Sequence, residues 1–277
     1  MNKKTHSYPS VLTIAGFDGI GGAGIQGDIK TISALGCYAT SVLTALPVQN
    51  TRGVQSVYPI PADVVEAQLR AVLDDVFPDA IKIGMVHTTA IVDSIVNTLQ
   101  QYPKVPVVFD PVMVSTSGHR LLEDSTIAVI VKKLFPLAAV ITPNLDEAAV
   151  LTGVSIHTVD DMQAAGKKII ELGARSVLLK GGHLNAIKLT SLYFTGDGQI
   201  QEFSFEKIDT PNTRGTGCTL SSAIVSYIAR GSSLSDAVAL AQEYVHQAIL
   251  NGKDAHVGRG NGPLNHFFDP QKLIINS

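Results

Sequence analysis

The sequence predicts an α/β fold: a mostly parallel central sheet covered by helices, with an antiparallel hairpin at one edge. Three observations carry this. Short apolar runs recur along the 277 residues, each followed by a loop and then a segment of helical period. The runs are apolar throughout rather than alternating, as in strands buried on both faces. Late in the chain, two β-rich runs flank Gly196-Asp197-Gly198, the composition of a tight hairpin turn.

In order, residues 11–15 read as a buried strand stopping at Gly16, and 23–35 as a helix ending at Gly36. Residues 39–48 are β-rich and read as one second strand. A helix follows over 61–76, with Pro61 suited to its first turn. Strands are expected at 80–83, 105–109, 139–142 and 176–179, and helices at 90–101, 125–134, 146–151 and 159–172. The hairpin spans 189–194 and 201–208. Helices at 220–230 and 234–251 and a short helical piece close the chain. No linker, internal repeat or low-complexity run divides it, so residues 1–277 read as one domain.

Composition excludes several classes. Hydrophobic residues make up 45% and charged residues 16%, which suits a soluble globular protein with a large core. A net charge of −3 without a basic cluster argues against nucleic acid as a partner. No apolar run approaches the ~18 residues of a membrane span, and no signal-peptide core is present. Cys37 and Cys218 lack zinc-ligand spacing, and a cytoplasmic protein with reduced thiols is expected.

In open parallel sheets, ligands sit beyond the C-terminal strand ends. That rule gathers Gly16, Gln49, Met85, Asp110, Asn144 and Lys180 on one rim. Residues 209–223 add a loop with two glycines that feeds a helix start at about Gly217 and Cys218. Gly215 and Gly217 allow close backbone approach, and a helix start offers free N–H groups. The stretch suits an anion such as phosphate, with Cys218 at the rim, where a thiol pKa is expected to fall. It also suits a plain glycine turn with Cys218 as a small buried hydrophobe.

The other constellations carry similar pairs of readings. Gly19-Ile20-Gly21-Gly22-Ala23-Gly24 matches a dinucleotide fingerprint, but the second strand ends in Pro47-Val48-Gln49-Asn50 without the acid that holds a ribose. No P-loop pattern occurs. Asn144 and Glu147 have capping-box spacing; Glu147 with Asp110 also suits a Mg²⁺ held largely by water and phosphates. Lys180 is a solvated strand-end lysine or a point charge for a nucleotide phosphate. Asp28 favours the dipole of its helix or accepts hydrogen bonds from a ligand. Among the histidines only His183, after a glycine pair, draws notice.

Together these segments resemble the hydroxymethylpyrimidine/phosphomethylpyrimidine kinases of thiamine synthesis. The likeness rests on Ala15-Gly16-Phe17-Asp18 leading into residues 21–28, on Ser33-Ala34-Leu35-Gly36, on Thr44-Ala45 with Gln49-Asn50-Thr51, and on Lys82-Ile83-Gly84-Met85. Asp110-Pro111-Val112-Met113, residues 142–148, Lys180-Gly181-Gly182-His183 and residues 212–219 continue it, in order, through 258–266. The resemblance implies a ribokinase-like three-layer α/β/α domain, ATP, Mg²⁺ and a homodimer. It implies phosphoryl transfer to a CH₂OH or phosphate on a pyrimidine. By position, Gly16, Asp28, Gln49, Met85, Val112 and Cys218 would contact the pyrimidine, and Asp110 and Glu147 would serve the metal. Lys180, Asn144 and Thr213 would lie with ATP, and Gly215, Gly217 and Cys218 would form the catalytic anion hole. Ile20 replaces a small polar residue usual in the family, and Gly27 replaces an Ala, which is expected to cost a little helix stability. The nearest rival is a pyridoxal/pyridoxine/pyridoxamine kinase of vitamin B6 salvage, on the same fold with a similar flat ring. A non-catalytic pyrimidine- or nucleotide-binding protein is a rival of another class.

Overall fold

The computed structural model describes residues 7–113, 122–182 and 188–276. The strands β1 (Ser10–Ala15), β2 (Tyr38–Leu43), β5 (Ala80–Ile83), β6 (Val107–Phe109), β7 (Val140–Ile141) and β8 (Val177–Gly181) are parallel neighbours. The hairpin β9 (Lys188–Phe194) and β10 (Ile200–Glu206) joins antiparallel beyond β8. The order is β10-β9-β8-β7-β6-β5-β1-β2. From β1 the chain steps outward to β2, then returns to the other side of β1 for β5. The crevice between β1 and β5 is therefore the topological switch point, where ligands of such sheets bind.

Because side chains alternate along a strand, each strand serves two layers. Leu12, Ile14, Ile81, Ile83, Val107 and Phe109 face the helices α2 (Ala62–Leu73), α3 (Thr89–Leu99), α4 (Asp124–Lys133), α5 (Leu145–Thr152) and α6 (Val159–Glu171). Val11, Ala80, Val108 and Val140 face α1 (Gly24–Ala34), α7 (Thr216–Ala229) and α8 (Leu234–Leu250). Both layers are dry, which is why the strands read as unbroken apolar runs.

Three expectations change. Residues 39–48 are not one strand. The chain leaves the sheet at Thr44, whose N–H donates to the Ala15 carbonyl (2.9 Å) and whose hydroxyl donates to the Met85 carbonyl (2.6 Å). Residues Ala45–Asn50 then form β3, paired antiparallel with β4 (Gly53–Pro59) as a separate two-stranded flap. The expected C-terminal helical piece is absent among the described residues: glycines at 258, 260 and 262 and prolines at 263 and 270 keep that stretch irregular. Helix α7 starts at Thr216, a turn earlier than its apolar pattern shows.

Candidate active site

A cleft of about 740 Å³ crosses the C-terminal ends of the strands. Its walls include Gly16, Gln49, Met85, Asp110, Val112, Asn144, Glu147, Lys180, Thr213, Gly215, Gly217 and Cys218. Each element end contributes because each strand stops on the same rim. Asp28 alone of the sequence-predicted residues is off the wall, and His183 lies outside the described residues.

At one end, the glycine loop after β1 folds around Asp18. Its carboxylate accepts the N–H groups of Gly22 (3.1 Å) and Ala23 (2.8 Å), the Gln49 amide (2.9 Å) and the Arg214 guanidinium (3.2 Å). Buried and fully used, Asp18 ties the glycine loop to the flap and to the loop before α7. Gly24, at φ +54°, begins α1, and the next amide, of Ile25, donates to the Gly16 carbonyl at 2.9 Å. The Gly27 expectation shifts as well. A Cβ there would stand 3.0 Å from the Gly22 carbonyl oxygen, so glycine relieves crowding against the loop rather than only loosening the helix.

Against this same loop, so close that a Cβ would collide with the Gly22 carbonyl, Gly215 caps α7 at φ +83° without a side-chain cap. The Thr216 N–H donates to the Thr213 carbonyl (3.3 Å), while the amides of Gly217 and Cys218, on the cleft wall, have no i−4 carbonyl to meet. A Cβ on Gly217 would stand 3.2 Å from Lys180 Nζ and 3.5 Å from an Asp110 oxygen, so glycine keeps that space open. Lys180 Nζ donates to Asp110 at 2.9 Å, and the Thr142 hydroxyl donates to the same oxygen at 3.0 Å. Asn144 and Glu147 form the full capping box of α5. Glu147 also accepts the Met113 N–H at 3.4 Å, so the capping role and a place on the cleft wall coexist.

The charges differ in kind. Burial works against ionised Asp110, but Lys180 and Lys82 outweigh it and hold its carboxyl below the usual range. Burial, with Asp110 nearby, pushes Glu147 up to about 7 against the pull of Lys180. Burial likewise pushes the Cys218 thiol up to about 11, although Lys82 opposes it. The expectation of a lowered thiol pKa at this helix start is thus corrected: enclosure outweighs the helix N-terminus.

Asp28 is also corrected. It is fully buried and accepts hydrogen bonds from Thr13 (2.6 Å), Lys82 (2.8 Å) and Ser222 (2.8 Å). Thr13 and Lys82 are register partners on β1 and β5, and alternation turns both toward α1 and α7. Asp28 therefore sits beneath the floor and neutralises Lys82. Lys82, Asp18 and Arg214 carried no assigned role in the sequence. A lysine inside the apolar run Ala80-Ile81-Lys82-Ile83 was the available signal, since a buried lysine requires a partner.

The donor set fits a phosphate chain: unpaired α7 amides, Lys180, and the gap at Gly217 lie together. Among the described residues no group of three or more His, Cys, Asp or Glu side chains could hold a metal. A Mg²⁺ would therefore rest on Asp110 and Glu147 through water and phosphate oxygens, as this ion commonly does.

Fold and cleft together define a ribokinase-like kinase. The sequence pattern of the phosphomethylpyrimidine kinase family matches residues 18–265, and the chain belongs to that family. It is 46% identical over 257 residues to a hydroxymethylpyrimidine/phosphomethylpyrimidine kinase of Rhizobium meliloti, covering 92% of this chain and 96% of that one. It is 45% identical over 276 residues to a chloroplastic thiamine biosynthetic bifunctional enzyme of Arabidopsis thaliana, covering 97% of this chain but only 53% of that one. The chain thus spans about half the length of its bifunctional relatives. Among solved structures, phosphomethylpyrimidine kinase from Clostridium difficile 630 is similar at 44% identity and TM-score 0.75, covering 87% of this chain and 99% of that one. Staphylococcus aureus pyridoxal kinase in complex with AMP-PCP and pyridoxal is similar at 34% identity and TM-score 0.85, covering 94% of each chain.

Proposed function

We propose that this chain uses ATP to phosphorylate 4-amino-5-hydroxymethyl-2-methylpyrimidine and then its monophosphate, giving the diphosphate for thiamine biosynthesis. The observation that carries the reading is one continuous cleft. It brings Gly16, Gln49, Met85 and Val112 into the same cleft as Lys180 and residues 215–218. Family membership supports the reaction type, and the residues along the cleft wall support the roles given below.

In this reading the pyrimidine lies across the β1/β5 crevice, with Gln49 on its polar edge and Met85 and Val112 on its faces. Lys180 and the amides of Gly217 and Cys218 hold the transferring phosphoryl oxygens, where charge develops. Thr213 and Asn144 line the ATP side. Asp110 and Glu147 would hold a Mg²⁺ through water, and the ion would supply charge neutralisation on the phosphates. A loose phosphoryl-transfer transition state requires only a modest base. The substrate hydroxyl bonds to phosphorus, ADP leaves, and the proton passes to the thiolate fraction of Cys218. A phosphate acceptor in the second step already carries its negative charge and makes no such demand. Cys218→Ala is expected to impair the alcohol step more than the phosphate step, and the alcohol step should quicken toward alkaline pH. Equal loss in both steps would contradict the base role.

A second reading, pyridoxal phosphorylation, is prompted by the likeness to a pyridoxal kinase in complex with AMP-PCP and pyridoxal. ADP release measured separately with the pyrimidine and with pyridoxal separates the two by kcat/KM. A homodimer in the cytoplasm also belongs to this reading. Exposed Leu46, Val48 and Tyr58 on the flap offer an apolar face for a second copy, and light scattering at micromolar concentration reads the mass. Among the described residues no helix is long and apolar enough to cross a membrane.

A further inference from the structure

The C-terminal stretch after α8 grips the cleft from outside. At the tip of the flap, the Thr51 hydroxyl accepts the N–H groups of Arg259 (3.1 Å) and Gly260 (3.0 Å), and the Thr51 carbonyl accepts that of Asn261 (3.0 Å). Gly258 is held at φ +73°, and a Cβ there would stand 2.5 Å from the Thr51 side chain, so glycine is required for the approach. Four residues on, the Gly262 carbonyl accepts the Arg214 N–H at 3.1 Å, and Arg214 bridges to Pro263. Asn212, almost wholly buried, fastens the same loop to the end of α8 by donating to the carbonyls of Gly252, Lys253 and Ala255. Inside the cleft mouth the Arg214 side chain meets Asp18, and Asp18 meets Gln49. Gln49 and Thr51 lie on one flap. The contacts therefore close a circuit: Thr51, the 259–262 strap, Arg214, Asp18, Gln49 and back to Thr51.

We propose that Thr51 is a positioning residue that, through this strap, couples the acceptor-binding flap to the phosphate-binding loop before α7. The proposal rests on the reading that Gln49 meets the pyrimidine. Thr51 touches neither substrate. Its hydroxyl fixes the flap tip to the strap, and the strap fixes the backbone of Arg214, one residue before Gly215. When the flap seats a ring, the loop that presents the α7 amides is drawn to the same geometry. The reaction balance is unchanged, since Thr51 moves no proton.

The test compares Thr51→Val, which keeps the shape and loses both accepted bonds, with Thr51→Ser, which keeps them. Thr51→Val is expected to raise the KM for the pyrimidine on the order of tenfold, the scale of one or two lost hydrogen bonds. The KM for ATP measured at saturating pyrimidine should stay within about twofold, and Thr51→Ser should behave as the wild type. Hydrogen exchange by mass spectrometry on the ligand-free protein gives the second readout. Thr51→Val should speed exchange in residues 45–59 and in 209–215 together. Equal rises in both KM values, a Ser variant that behaves like Val, or faster exchange in the flap with 209–215 unchanged would each overturn the coupling. A wild-type enzyme that ignores the pyrimidine contradicts the functional reading alone, and the exchange measurement then decides the strap by itself.

Discussion

At the scale of single residues, the most consequential pair is Asp28 and Lys82, both fully buried with their charged atoms 2.8 Å apart. Burial draws the lysine pKa down, yet Asp28, with Asp110, outweighs it and keeps the ammonium charged. Asp28 uses its oxygens on Lys82, Thr13 and Ser222, so the pair is well satisfied. Removing one partner leaves the other charge buried alone. Asp28→Ala should therefore cost about 3–5 kcal/mol of stability, read by urea denaturation; a loss under about 1 kcal/mol, the range of an exposed pair, would contradict this account. Cys218 makes a second prediction. With its thiol raised to about 11 by burial, it is protonated at neutral pH. Cys37, buried against α7 at the Ser226 carbonyl and raised likewise to about 11, should be as slow to alkylate. Iodoacetamide labelling followed by mass should be slow for both at pH 7.5 and should rise with each step in pH. Rapid labelling of Cys218 at pH 7.5 would restore the low-pKa thiol that the helix start suggests by itself.

At the scale of elements, the proposed function sets the transferring phosphoryl group at the start of α7 and the acceptor at the flap. Gly217→Ala places a methyl 3.2 Å from Lys180 Nζ, inside the space that the proposed function gives to phosphate. It should lower kcat/KM for ATP by about tenfold or more, while stability changes by under ~1 kcal/mol because alanine suits a helix. Unchanged ATP kinetics would move the phosphate site elsewhere. This scale also separates what the chain makes legible. The parallel strands, the edge hairpin and the rim of strand-end residues follow from apolar runs and turn composition, because burial on both faces leaves a plain mark. The flap does not. Residues 45–48 read as the end of one strand over 39–48, and 49–60 carry no expected element, because nothing local marks the departure from the sheet at Thr44, which long-range bonds to Ala15 and Met85 impose. Arg259 and Gly260 meet Thr51 across more than two hundred residues, so no window of sequence holds that contact. Asp28 is likewise illegible as a floor residue, since its partners come from β1, β5 and α7.

At the scale of the whole molecule, two buried groups tilt stability with pH in opposite senses. His266, beneath the glycine loop, is pulled down to about 4 by burial and by Lys30. Its unfolded form, near 6.5, takes a proton first, so its contribution is complete above that pH and is lost as pH falls toward 4. Glu147 is pushed up to about 7, above its unfolded value. Its folded form holds the proton more tightly, so stability falls as pH rises from about 4.5 through 7. Each is worth on the order of 3 kcal/mol, and over their shared range they nearly cancel. The metal-free wild type should thus be almost flat from pH 5 to 6.5 in denaturant titrations. Glu147→Gln should unmask a rise with pH, and a flat Glu147→Gln profile would contradict the His266 assignment. The central claim concerns the cleft as a unit: one site that serves both an alcohol and a phosphate acceptor. It is tested most directly by incubating the protein with ATP, Mg²⁺ and 4-amino-5-hydroxymethyl-2-methylpyrimidine and following product masses over time. Monophosphate that rises and then gives way to diphosphate is the predicted result. Monophosphate that accumulates without further conversion, with pyridoxal consumed faster than the pyrimidine, would contradict it.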